Sequence, residues 1–88
     1  MIPQIMHVDG RITDVPVPER GTFTIKELQK VIGSTVNFLP IRGDRLMVVD
    51  DEGDPSMKNL PMNMGAMLLA VHPIYGDALV VRKEYMPS

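Results

Sequence analysis

The sequence contains no cysteine and no tryptophan, and only two phenylalanines and two tyrosines. Without thiols there can be neither disulfides nor thiolate-bound metal, so stability has to come from packing or from association with other chains. An excess of positive charge is also missing. Nine Lys and Arg stand against eleven Asp and Glu, for a formal net charge of −2, which leaves no general field to attract duplex nucleic acid or an anionic membrane. No apolar run approaches the roughly 20 residues of a membrane span. Met1-Ile2-Pro3-Gln4 lacks the basic and apolar regions of a secretion signal. These absences together point to an unprocessed protein of a reducing cytoplasm.

What is present fits one small globular domain: 88 residues, 44% hydrophobic and 23% charged. A chain of this size buries about 64% of its unfolded surface, enough for a thin core without a deep cavity. Ile2 to Val8 is β-compatible, Asp9-Gly10 is a turn signal, and Arg11 to Val17 resumes the alternation, which together predict a hairpin. Pro3, Pro16 and Pro18 cannot donate to a ladder and place it at a sheet edge. Thr24 and Glu27 have capping-box spacing, Ile25, Leu28, Val31 and Ile32 recur at helical period, and Gly33 can end the helix. Ser34 to Ile41 and Arg45 to Asp50, around Arg42-Gly43-Asp44, predict a second hairpin whose second strand is central. Asn63 can cap a helix in which Met64, Met67, Leu68 and Val71 mark one apolar face directed at the core. If it does no more than cap, Asn63→Ala should cost about 1 kcal/mol and Asn63→Asp should be nearly neutral. Asp77 to Lys83 is a closing strand and residues 84–88 a tail, so the domain spans residues 1–83.

Four stretches occur in a fixed order: Glu27 to Gly33, Leu46 to Gly53, Leu60-Pro61-Met62-Asn63-Met64-Gly65-Ala66, and Ile74-Tyr75-Gly76-Asp77-Ala78-Leu79-Val80-Val81. Over about residues 26 to 82 they resemble a small domain family of unknown function spread through bacteriophages, plasmids and bacteria. Its members carry "LVGG", "NEEG", "LPxNxxA" and "IxGDxxV" patterns. Asp50-Asp51-Glu52-Gly53 lacks the usual Asn of the second pattern, and Gly33-Ser34 replaces the double Gly of the first. The resemblance supplies no catalytic residues. It implies a mobile-element setting in a host cytoplasm, where small proteins more often bind and block than catalyse.

Candidate chemistry is sparse. Asp50, Asp51, Glu52 and Asp54 gather carboxylates without the alternation of a calcium loop, so a solvated turn is expected. His7 and His72, the only imidazoles, lie in unlike elements and give no zinc pattern. Nucleophile elbows and Gly-rich phosphate loops are missing, so no enzyme and no cofactor is expected. An anionic ligand would draw on Arg42 and Arg45 at the second hairpin, Arg11 and Arg20 at the first hairpin and connector, and Lys58, because the guanidinium fork suits phosphate. Tyr75 or Tyr85 would offer a stacking face for a base. Met57 and Met62 lie off the predicted helix face and could form an adaptable partner surface.

These readings combine into an α+β fold of order β-β-α-β-β-α-β, a mostly antiparallel sheet of about five strands with two short helices covering one face. The uncovered opposite face predicts a homo-oligomer. The expected function is a non-enzymatic binder that sequesters a nucleotide-type immune signal or blocks a host defence protein. The alternative is a structural or regulatory interaction module with no small ligand.

Overall fold

The computed structural model describes residues 2–53 and 59–87. Five strands, β1 (Gln4–Met6), β2 (Ile12–Asp14), β3 (Val36–Ile41), β4 (Arg45–Asp50) and β5 (Ala78–Arg82), form one sheet of order β2-β1-β5-β4-β3, antiparallel at every joint. Two helices, α1 (Ile25–Ile32) and α2 (Met64–Ala70), complete the α+β architecture. Asp54, Met57 and Lys58 lie outside the described residues, so the expectations placed on them are not addressed by the structure.

The expected start and stop signals operate at α1. The Thr24 hydroxyl accepts the Glu27 N–H at 3.2 Å, and the Glu27 carboxylate accepts the Thr24 N–H at 2.7 Å. These bonds satisfy donors that the first turn leaves unpaired. Gly33 closes the helix in the left-handed conformation, φ 87°, with its N–H on the Gln29 carbonyl.

The helices do not share a face, in contrast to the sequence expectation. Because side chains alternate along a strand, the register separates two sets. Val48, Leu79 and Val81 pack with Ile5, Val36 and Phe38 beneath α1, through Leu28, Val31 and Ile32. Met47, Val49, Ala78 and Val80 pack with Met6, Leu39 and Ile41 on the opposite face, against Ala66, Met67, Leu69 and Ala70 of α2. The sequence already carried the reason: β4 and β5 are apolar without alternation, as strands buried on both faces are. No bare sheet face is left to require an oligomer on that ground.

The stretch expected as a tail is docked. A short 3₁₀ turn, Lys83–Tyr85, follows β5, and Tyr85 and Met86 join the α1 layer. The Phe23 N–H donates to the Tyr85 carbonyl at 2.8 Å, which ties the α1 connector to the C-terminal segment.

The interior on the α2 side is organised by one polar residue. Asn63 is 1% exposed. Its Oδ1 accepts the Ala66 N–H at 3.1 Å, while Nδ2 donates to the Met6 carbonyl at 2.8 Å and to the Gly76 carbonyl at 2.9 Å. The side chain thus caps α2 and also joins β1 to the approach of β5. Gly76 stands at φ 82°, where a Cβ would meet Leu60 Cδ1 at 3.0 Å, so both conformation and space call for glycine. Asn63, Ala66 and Gly76 therefore have structural tasks.

Candidate interaction surface

The residues expected to bind an anion are dispersed. Arg11 Nε donates to Asp9 Oδ2 at 2.7 Å across the β1–β2 turn. Arg20 is paired with Glu27 beside the start of α1. Arg42 and Arg45 are linked only through the main chain, Arg45 Nε donating to the Arg42 carbonyl at 3.0 Å, and their side chains line different recesses. Arg45 also lies opposite Arg82 in the ladder, and Arg82 is paired with Glu84 at 2.6 Å. Tyr75 lines a groove of about 500 Å³ with Asn37, Asp50, Asp51 and His72, and none of the arginines lines it. The stacking face and the guanidinium forks therefore do not meet. Tyr85 is committed to the α1 layer.

Asp9 is electrostatically distinctive. Its carboxyl is held below the ordinary carboxylate value, first by the Arg11 main-chain N–H at 3.0 Å and then by the Arg11 guanidinium. Both bonds favour the charged form.

Hydrogen bonding connects a second cluster. Asp77 Oδ1 accepts the Val8 N–H at 3.0 Å, Asp77 Oδ2 lies 3.0 Å from His7 Nδ1, and His7 Nε2 lies 2.8 Å from Thr13 Oγ1. This is the connectivity of a hydroxyl–imidazole–carboxylate relay. Thr13 sits on the exposed edge strand, however, and the cavity that His7 lines includes neither Thr13 nor Asp77. The cluster ties the β1–β2 hairpin to the entry of β5 through Asp77.

The surface feature that sequence reading assigned to the core is the outer side of α2. Met64, Leu68 and Val71 are 60%, 79% and 89% exposed, whereas the expectation put them inward with Met67. The helix Met-Gly-Ala-Met-Leu-Leu-Ala bears no charge, so its apolar period has two solutions, and packing selected the small Ala66 side. A helix apolar all round is ordinarily buried on all sides. Ile12 of β2 lines a recess with Met64, and Arg42 lines the groove formed by Pro40 and Ile41 with Leu68 to Val71. Met62, expected as adaptable partner surface, is exposed just before α2.

Val71 adds a second peculiarity. It is the only described non-glycine residue with positive φ, 53°, and it forms the C-cap of α2 through its N–H on the Met67 carbonyl. A β-branched residue in this conformation is an outlier costing of order 1–2 kcal/mol. Of the described residues, the most exposed large apolar side chain is therefore held on a strained backbone, where glycine would serve the helix better.

The sheet edges, by contrast, are protected. The Asp51 N–H donates to the Thr35 carbonyl, so by antiparallel alternation Val36, Phe38 and Pro40 direct their main chain away from β4. Pro40 has no N–H to offer, and the Phe38 N–H is taken by Asn37 Oδ1 at 3.0 Å. On the other edge β2 has three residues and is followed by Val15 and Pro16. Such edges resist addition of a further strand.

Among the described residues no helix is long and apolar enough to cross a membrane. Comparison with protein-family models, with curated proteins and with solved structures finds no match to this chain.

Proposed function

We propose that this protein is a non-enzymatic protein-interaction module that docks through the outer side of α2. The carrying observation is the uncharged helix with Met64, Leu68 and Val71 in solvent. Apolar side chains gathered on one element are a docking surface rather than ordinary scatter. Capture of a nucleotide-type signal receives less support, because Arg11 and Arg20 are already paired and none of the arginines lines the groove that holds Tyr75. In the mobile-element setting implied by the sequence resemblance, such a module acts by occupying a surface of another protein, a host defence protein among them.

A photo-crosslinking residue at Leu68 tests this. In lysate it should form discrete adducts with another polypeptide, whereas the same residue at Asp44, on the β3–β4 turn, should not. Equal labelling from both positions would overturn the reading. So would a nucleotide that raises the melting temperature only while Arg42 and Arg45 are intact, since native-state binding stabilises by mass action.

A further inference from the structure

We infer that the occupant of the α2 face in the purified protein is a second copy of this chain, packed about a two-fold axis with the two α2 helices antiparallel. This rests on the reading of α2 as the docking element and identifies what docks there.

Three observations favour a second copy. First, an isologous contact sets each group near the axis against the same group of the other copy, so any charge near the axis would face its own like. From Met64 to Ala70 there is no ionisable side chain, and Asn63 and Val71 at the ends add none. Leu68, midway along the exposed stripe, would meet Leu68 of the other copy, and Met64 would meet Val71.

Second, the area is sufficient. The exposed parts of Ile12, Met64, Leu68 and Val71 present roughly 500 Å², against about 600 Å² per copy at the lower bound of stable interfaces. The groove walls Pro40 and Ile41, with the stem of Arg42, supply the remainder. Third, the alternative route to symmetric assembly, continuation of the sheet, is obstructed by Asn37 and Pro40 on β3 and by the shortness of β2. Helix packing is the route left open. Burial of Val71 in the contact also gives its strained backbone a compensating gain.

The absence of native cysteine makes the test clean. Leu68→Cys in the full chain, oxidised under mild conditions, should yield a disulfide-linked dimer. Ile25→Cys, also at an exposed position but on α1, should stay monomeric. Sedimentation equilibrium of the wild type should show a reversible dimer in the micromolar range, and Leu68→Glu should weaken it at least tenfold with an unchanged circular dichroism spectrum. A monomer at high micromolar concentration, or a dimer indifferent to Leu68→Glu, overturns the inference. The two readings fail separately. A monomer that still crosslinks another polypeptide from position 68 removes the self-contact and leaves the docking surface, whereas a monomer with no such adduct removes both.

Discussion

The side-chain amide of Asn63 donates to the main-chain carbonyl of Met6, so a residue that starts a helix also holds a strand 57 positions earlier in the chain. A carboxamide can do this because it carries two donors and an acceptor on one planar group. Oδ1 takes the Ala66 N–H, and Nδ2 divides its hydrogens between Met6 and Gly76.

Asn63→Ala should therefore cost about 3 kcal/mol, well above the ~1 kcal/mol of a surface cap, because it removes the cap and takes a donor from two carbonyls in the interior. Asn63→Asp, nearly neutral for capping alone, should destabilise at least as much, since an ionised carboxylate would face those carbonyls with no hydrogen to give. Denaturant titration of both variants decides. A neutral Asp substitution would show that the network contributes little.

Val71→Gly should raise stability by up to about 1 kcal/mol by relieving the left-handed strain at the end of α2. The same change should weaken self-association, because it deletes the most exposed side chain of the stripe. Opposite movement of melting temperature and dimer affinity is the expected pattern. A lower melting temperature would show that the left-handed backbone at Val71 is not strained, and an unchanged dimer affinity would place Val71 outside the contact.

Carbon-13 titration of the Asp9 carboxyl should give a midpoint below the ordinary carboxylate value, the direction set by Arg11. Arg11→Ala should raise it only partway, since the first cause is the main-chain N–H, which the substitution keeps. Because the folded value is depressed, the associated stability is present above the ordinary carboxylate value and is lost as pH falls through the lowered folded one. Complete normalisation in Arg11→Ala would place the cause in the guanidinium instead.

Joint replacement Asn37→Ala and Pro40→Thr should expose two main-chain N–H groups along β3 and promote concentration-dependent assembly with β-rich spectra. Adding Leu68→Glu should not suppress it, because the contact would be strand to strand. Unchanged solubility of the double variant would show that the edge needs no such protection.

Local chemistry was the legible part of this sequence. Thr24, Glu27 and Gly33 framed α1 through bonds between near neighbours, and Arg45 to Asp50 formed β4 as read. The inward side of α2 was not legible, since a helix of Met, Gly, Ala and Leu offers no polar residue to mark the outside. Helix placement was readable in principle from the unalternating β4 and β5. The roles of His7, Asp77 and Asn63 depend on contacts between distant segments that spacing cannot convey. The dispersal of Arg11, Arg20 and Tyr75 has the same origin.

The position of β5 between β1 and β4 governs the order of events during synthesis. Until Ala78–Arg82 has left the ribosome, the first hairpin lacks the neighbour that pairs Gln4 with Val80, and the second lacks the one that pairs Met47 with the same residue. Each nascent hairpin is a two-stranded ribbon, marginal in water, with an open inner edge. Closure of long loops must precede the pairing that rewards it. Folding is thus deferred to a single late insertion, and the interval before it is when the chain is most exposed to chaperones, proteases and mispairing.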